Sequence, residues 1–201
     1  ALDASTGKRK WHFQTVHHDV WDRDLSSPPM LVNLKKDGKD IKAVAVTTKS
    51  GLVYVFDRTT GKPVYDIQEK PVPTITDLVG EELSPTQPYP TQLAPFMRQS
   101  LTEKDLNPYL SDSSLADVKR RFAAAKHDNM FDPIVTTGTI IFPGLDGGAE
   151  WGGPTFDPQT GVLYVNANEM PWEFFAIDIS NKPAPHENTG EACLRLFRTN
   201  C

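Results

Sequence analysis

The sequence predicts an all-β fold of the propeller type, in which four-stranded sheets repeat as blades around an axis. Three observations predict it: a recurring turn motif, runs of β-branched and aromatic residues beside the turns, and a composition rich in turn formers. The chain has 201 residues, of which 17 are proline and 13 are glycine. This balance suits loop-rich β structure better than a helical bundle.

The turn motif is Asp-x-x-Thr-Gly, and its three copies begin at Asp3, Asp57 and Asp157. Each copy predicts a tight hairpin, because Asp and Thr side chains can bond nearby backbone N–H groups and Gly accepts a positive φ. The first two copies lie 54 residues apart, about the length of one propeller blade. The spacing favours a propeller, and a β-sandwich with similar hairpins is the alternative.

Apolar runs beside the turns predict strands at 43–46, 52–56 and 162–165. The second and third turn motifs are 100 residues apart, so this interval is expected to hold one blade and an insertion at about 71–132. The insertion starts with a proline-rich stretch, 71–95, which predicts an irregular loop. After it, the tetrapeptide Ser114-Leu-Ala-Asp117 has the form of a capping box and predicts a short helix.

Composition excludes several functional classes. The net charge is −5 and no basic cluster occurs, so nucleic acid is not expected as a partner. No run of about 18 apolar residues is present, so no transmembrane segment is predicted. The hydrophobic content of 38% and charged content of 23% are those of a globular domain. Both chain ends look cut, and we expect an internal fragment of a longer protein.

Four longer motifs accompany the turns. They read His-His-Asp-Val-Trp-Asp-Arg-Asp at 17–24, Thr-Lys-Ser-Gly at 48–51, Glu-Trp-Gly-Gly at 150–153 and Asn-Ala-Asn at 166–168. With these motifs in this order, the chain resembles the quinoprotein dehydrogenases, which depend on pyrroloquinoline quinone (PQQ), and most closely their glucose, quinate and polyol branch. The resemblance covers almost the whole chain. It implies about three blades of an eight-bladed β-propeller, with residues 1–185 as the partial propeller.

The resemblance also implies a reaction, the oxidation of a C–OH group with hydride transfer to the quinone. Such a reaction needs a base for the hydroxyl proton and a Lewis acid at the quinone oxygen. By resemblance, Asp22 is the base, and Lys49, 27 residues later, faces the cofactor. Asp19 is the competing carboxylate, and sequence alone does not choose between the two. Without the resemblance, Asp22 would be interpreted as a turn cap or a surface partner of Arg23.

A metal is implied beside the quinone. Calcium is the predicted ion and Asp24 a candidate ligand, with a lanthanide as the alternative because a trivalent ion favours an extra carboxylate. His17 and His18 are predicted to make structural hydrogen bonds, since hard metal ions prefer oxygen ligands. The ligands that complete the metal site are expected outside this chain.

Three later residues match motifs that contact the cofactor in the family: Trp151, Asn166 and Asn168. Amide side chains there can bond carboxylates or carbonyls of the quinone. The register between the two asparagines stays open, and Trp151 has a second interpretation as a packing residue between blades. Trp11 is expected to be structural, because it follows the first turn where the family has a blade-docking tryptophan.

Residues 186–201 are predicted to form a linker, and their end suggests the start of a cytochrome c segment. Cys201 would then be the first cysteine that attaches haem c, followed by a second cysteine and a histidine. A disulfide between Cys193 and Cys201 is the alternative, since an oxidising compartment permits one.

The combined prediction is a periplasmic, PQQ-dependent dehydrogenase that oxidises a sugar, polyol or other alcohol. Its electrons would pass to a cytochrome c or a quinone. Two other classes stay open, a non-catalytic propeller scaffold and a carbohydrate-binding propeller. The scaffold gives no reason for Asp22, Lys49 and Trp151 to converge on one axis, so their positions are informative, whereas the sequence does not separate the carbohydrate-binding propeller from the enzyme.

Overall fold

The computed structural model describes residues 1–177, and the Cys193, Cys201 and linker predictions lie outside the described residues. The described part is mostly β structure with one α-helix. The strands are β1 (Met30–Lys36), β2 (Lys39–Thr47), β3 (Val53–Asp57), β4 (Ile67–Pro71), β5 (Thr86–Pro90), β6 (Thr139–Ile141), β7 (Thr155–Asp157), β8 (Val162–Tyr164) and β9 (Trp172–Phe174). A 3₁₀ turn at Glu103–Asp105 precedes helix α1, Asp112–Ala124.

The strands form antiparallel sheets. Strands β1, β2 and β3 make a three-stranded meander, while β4 pairs with β5, β6 with β9, and β7 with β8. A two-residue turn joins β1 to β2, and its residues Asp37 and Gly38 both have positive φ, 51° and 74°. This turn matches the right-handed twist of the strands that it connects.

The three Asp-x-x-Thr-Gly motifs form closely similar turns, as predicted. In the second copy, Asp57 Oδ1 accepts hydrogen bonds from the backbone N–H groups of Thr59 at 2.8 Å and Thr60 at 3.0 Å. The chain then closes through the Gly61 N–H, which donates to the Asp57 carbonyl at 2.8 Å with φ of +75°. The third copy connects β7 to β8 in the same way.

The meander separates two apolar clusters, because alternate residues of a strand point to opposite faces. On one face Val44, Tyr54 and Phe56 join the main core with Trp21 and Phe131. On the other face Val32, Ala43, Ala45 and Val55 form a second core. Burial on both sides makes β2 and β3 the rigid centre from which the neighbouring loops extend.

Trp11 has the structural role expected for it. Its indole N–H donates to the Arg58 carbonyl at 3.1 Å, and its ring lies 5.7 Å from that of Phe56. The ring also covers Gly61, where an added Cβ would lie 2.6 Å from Trp11. The tryptophan therefore docks the N-terminal segment on the second turn motif.

The insertion differs from the prediction in two details. The proline-rich stretch contains β5, which pairs with β4 from Ile67↔Pro90 to Pro71↔Thr86, because a partner strand was available upstream. Helix α1 has Ser111 as its N-cap, with a side chain that accepts from the Ser114 N–H. The cap therefore precedes the predicted one by a turn. Among the described residues, no helix has the length and apolar character needed to cross a membrane.

Candidate active site

The loop before β1 presents Asp22 and Asp24 by burying the residues between and beside them. The side chains of both aspartates are 56% exposed, whereas Trp21 is 1% exposed and Arg23 is 2% exposed. The alternation resembles that of a half-buried strand, although Asp22 has φ of +61°. Aspartate adopts this left-handed region more readily than most non-glycine residues.

Asp19 uses its carboxylate to organise this loop. Oδ1 accepts from the Trp21 N–H at 2.9 Å and Oδ2 accepts from the Arg23 N–H at 2.7 Å. Both oxygens are therefore engaged with backbone on either side of Asp22. Of the two carboxylates that the sequence left in competition, Asp19 is the one bound to its own loop.

Arg23 is a buried cation held by carbonyl groups. Its Nη1 donates to the Pro143 carbonyl at 2.5 Å and its Nη2 to the Met130 carbonyl at 3.2 Å. Desolvation lowers the pKa of the guanidinium to about 10, with the charge of Asp19 opposing the shift. The surface pairing of Arg23 with Asp22 does not occur, because the guanidinium points into the core.

Lys49 lies in the connection between β2 and β3 and reaches across to the aspartates. Its side chain is 7% exposed, and its Nζ lies 3.0 Å from Asp22 Oδ2 and in contact with Asp24 Oδ1. Desolvation by itself would lower the pKa of this ammonium, but hydrogen bonds to Asp24 and Asp22 outweigh it and the pKa is raised. Lys49 is therefore a charged group at neutral pH, fixed between two carboxylates.

A third carboxylate, Glu150, borders the same ammonium. Its Oε1 lies 3.6 Å from Lys49 Nζ, and this oxygen is buried without a hydrogen-bond partner among the described residues. A buried, unpartnered carboxylate oxygen is costly unless a cation or donor serves it. The sequence pointed to Glu150 only as part of its motif, since nothing local indicates that it meets Lys49.

The loop that carries Glu150 wraps the backbone of Lys49. The Gly148 N–H donates to the Lys49 carbonyl at 2.6 Å, and the Ala149 N–H donates to the Thr48 carbonyl at 3.1 Å. Gly147 packs on the lysine stem, where an added Cβ would lie 2.5 Å from Lys49 Cγ. The close approach explains the glycines in this loop.

The remaining predicted cofactor residues lie around this loop. Trp151 is 85% exposed, so among the described residues it does not act as a packing residue. Asn168 donates its backbone N–H to the Gly148 carbonyl at 3.0 Å. Asn166 lies over Gly152, whose added Cβ would be 3.2 Å from the amide nitrogen. The structure brings these residues to the loop beside Lys49, and their roles toward a cofactor stay predictions.

The two histidines make hydrogen bonds, as expected. His17 Nε2 lies 3.0 Å from Glu69 Oε1, and His18 Nε2 lies 2.5 Å from Glu81 Oε1. The His17 pair connects the start of the loop of Asp22 to strand β4, and the His18 pair connects it to the proline-rich insertion. Over residues 1–177, no group of three or more His, Cys, Asp or Glu side chains has the arrangement of a metal site.

The carboxylates fit part of a calcium site. Calcium takes six to eight oxygen ligands, and Asp22 and Asp24 offer exposed carboxylate oxygens beside each other. The unpartnered Oε1 of Glu150 is a further anionic atom in the same cluster. The described residues would thus supply a minority of the ligands, with the others coming from elsewhere in the full-length protein.

Comparisons with known proteins identify relatives of one kind. The family model for the β-propeller domain of PQQ-dependent glucose, ethanol and alcohol dehydrogenases matches residues 1–193. The quinate/shikimate dehydrogenase (quinone) of Acinetobacter baylyi is 39% identical over 170 residues, which are 83% of this chain and 20% of that protein. Quinoprotein glucose dehydrogenase A of Acinetobacter calcoaceticus is 38% identical over 179 residues, 86% of this chain and 22% of the relative. The chain thus spans about a fifth of the length of these relatives.

Solved structures support the same fold. A quinohemoprotein alcohol dehydrogenase from Comamonas testosteroni aligns with a TM-score of 0.51 and 24% identity, over 87% of this chain and 20% of that one. A europium-containing methanol dehydrogenase aligns with a TM-score of 0.52 and 22% identity, over 88% of this chain and 24% of that one. At this identity the likeness concerns the fold, and it agrees with the predicted propeller.

Proposed function

The chain belongs to the β-propeller family of PQQ-dependent glucose, ethanol and alcohol dehydrogenases, and on this premise we propose that the full-length protein oxidises a sugar, polyol or other alcohol with Asp22 as the base. One observation carries the proposal: Asp22 and Lys49, 27 positions apart in sequence, meet at 3.0 Å. An exposed carboxylate beside a fixed, buried ammonium is an arrangement suited to general-base chemistry at a polar redox group.

Asp22 would receive the proton of the substrate hydroxyl. Lys49 occupies Oδ2 of this carboxylate, so Oδ1 is the atom that would face the substrate. When bound, PQQ supplies the electron acceptor for the hydride that leaves the alcohol carbon, which becomes a carbonyl. The buried side chains of Trp21 and Arg23, on either side of Asp22, would hold the carboxylate in place for this step.

Other residues would hold the cofactors. Lys49 would donate hydrogen bonds to the quinone oxygens, and Trp151, Asn166 and Asn168 would contact the rest of PQQ. Asp24 would be a ligand of calcium, with a lanthanide as the alternative ion. These roles are supported by the positions of the other four residues on or beside the loops that surround Lys49.

The cellular context is part of the same proposal. Electrons would pass to a cytochrome c or a quinone in the periplasm, and Cys201 would attach haem c if the next residues of the gene complete the haem motif. The quinate and glucose relatives favour a sugar or polyol as the substrate class.

The test uses the full-length protein reconstituted with PQQ and calcium, assayed on sugars, polyols and alcohols with an artificial electron acceptor. Asp22→Asn should lower kcat by roughly 10²–10⁴-fold, the usual contribution of a general base, while PQQ binding is retained. Asp40→Asn, at an exposed strand position, is the matched control and should keep wild-type kcat. A wild-type rate in Asp22→Asn would exclude the base role. A protein that binds sugars but neither binds PQQ nor turns over when PQQ and calcium are supplied would favour a carbohydrate-binding propeller.

A further inference from the structure

We propose that Arg23 is a positioning residue that ties together the two loops around Lys49 and so keeps Asp22 and Asp24 against the ammonium. The inference rests on the function proposed above, because it assigns Arg23 a part in the same site. Arg23 touches neither Asp22 nor Asp24 through its side chain. It acts through the backbone that carries them.

The first contact set anchors the loop of residues 19–24 in the core. The Arg23 guanidinium is buried and donates to the carbonyls of Pro143 and Met130. On the other side of Asp22, the indole N–H of Trp21 donates to the Asp132 carbonyl at 2.7 Å. Asp22 therefore lies between two residues, Trp21 and Arg23, whose buried side chains both hydrogen-bond to the segment 130–143.

The second contact set connects that anchor to Lys49. Pro143 begins the loop in which Gly147 packs on the lysine stem and the Gly148 N–H bonds the Lys49 carbonyl. One guanidinium thus joins the start of the loop that covers Lys49 to the loop that carries its two carboxylate partners. The two loops are far apart in sequence, so a tertiary contact must fix their relative position. The distance between the Lys49 ammonium and Asp22 therefore depends on this connection.

The anchors fix the place of the turn in the protein. Asp22 has a left-handed φ of +61°, a conformation that aspartate adopts more readily than most non-glycine residues, so the turn itself needs no distant support. Asp19 bonds the N–H groups of Trp21 and Arg23, which fixes the turn locally but does not tie it to the rest of the protein. Loss of the Arg23 anchor should therefore let the turn shift and the carboxylates move from Lys49.

Arginine is suited to this role for a geometric reason. Its planar fork can donate to two carbonyls at once, which neither lysine nor an apolar side chain can do in the same geometry. Arg23→Met removes a costly buried charge, but it also leaves the buried carbonyls of Met130 and Pro143 without their donor, which should lower stability. Arg23→Lys keeps a cation that can donate to one of these carbonyls, so it should lose less stability while still losing the two-carbonyl fork. The two variants together therefore separate positioning from stability.

The experiment compares Arg23→Met and Arg23→Lys with wild type in the full-length protein. With PQQ and calcium bound, both variants should show kcat lowered by roughly tenfold or more and KM unchanged, the pattern expected when reacting groups are misplaced. In the cofactor-free protein, the rate of Lys49 acetylation by acetic anhydride, measured by mass spectrometry against exposed Lys39, should rise several-fold. Arg23→Met should unfold at a lower temperature than wild type because two buried carbonyls lose their donor, so the kinetic and acetylation assays are run well below its unfolding transition.

The control is Arg121→Met, because Arg121 lies on helix α1 and pairs with Glu173 on β9, away from Lys49. It should leave kcat and Lys49 acetylation unchanged. Wild-type kcat in both Arg23 variants overturns the proposal, as does a fall in kcat with unchanged Lys49 reactivity. If Arg23→Met does not fold, Arg23→Lys alone decides by the same two readouts. A wild-type protein without PQQ-dependent turnover defeats the proposed function, whereas the acetylation result still tests whether Arg23 holds the loops.

Discussion

Substitution of Gly147 by alanine tests whether the loop of Glu150 fixes the position of Lys49. Gly147 has φ of +62°, and an added Cβ would lie 2.5 Å from Lys49 Cγ and 2.9 Å from Lys49 Cα. Gly161 is a matched control in the third turn motif. It has φ of +73°, and an added Cβ there would meet nothing within 4 Å.

The expected free energies follow from these two environments. Both substitutions carry the cost of a left-handed φ, about 1–2 kcal/mol. Only the substitution of Gly147 also creates an overlap with a neighbour, and because that neighbour includes the Cα of Lys49, the backbone must shift at a further cost of about 1–3 kcal/mol. Gly147→Ala should therefore lower the free energy of unfolding by about 2–5 kcal/mol, and Gly161→Ala by the smaller amount.

The assay combines urea unfolding with steady-state kinetics on the full-length, cofactor-loaded protein. The backbone shift caused by Gly147→Ala acts on the lysine that contacts Asp22, so kcat should fall by about tenfold or more. Gly161→Ala should retain wild-type kcat. Equal stability losses in the two variants, together with wild-type kcat in Gly147→Ala, would refute the close packing of this loop on Lys49.

Two further predictions concern the scaffold. Trp21→Phe removes the donor to the buried Asp132 carbonyl and should lower the free energy of unfolding by about 1–3 kcal/mol; an unchanged urea midpoint would contradict this. Hydrogen bonds from the backbone of Thr59 and Thr60 lower the pKa of Asp57, so its stabilising effect is present above the unfolded pKa and is lost as pH falls through the folded one. The urea midpoint of Asp57→Ala should therefore fall below that of wild type at neutral pH. The difference between the two midpoints should become smaller once the pH falls below the ordinary range of an aspartate pKa. A difference that is independent of pH would show that the charge is not involved.

The parts of the fold that sequence predicted are those fixed by local chemistry. The Asp57 turn is determined within five residues, because the carboxylate, the Thr N–H groups and the glycine φ all lie inside the motif. Strand β5 was missed because prolines at 88 and 90 remove backbone donors. Its formation depends on β4, a partner that a local pattern does not show.

The predictions for the site show the same contrast between motifs that the sequence reveals and contacts with distant partners that it does not. The convergence of Asp22 and Lys49 was expected from motifs that resemble a known family, and the structure brings the two side chains together. The burial of Arg23 was not expected, because its carbonyl partners at Met130 and Pro143 lie 107 and 120 residues away in sequence. From its local sequence, a charged residue between two aspartates is predicted to lie at the surface.

The charge balance of the cluster connects the fold to the function. Asp22, Asp24 and Glu150 place three carboxylates around the single ammonium of Lys49, which leaves an excess of two negative charges. This excess of negative charge would attract a further cation to the cluster. A divalent ion at Asp24 would balance this excess and free Lys49 to face a second anionic group. The charge pattern thus supports the proposal that these side chains form one part of a cofactor site.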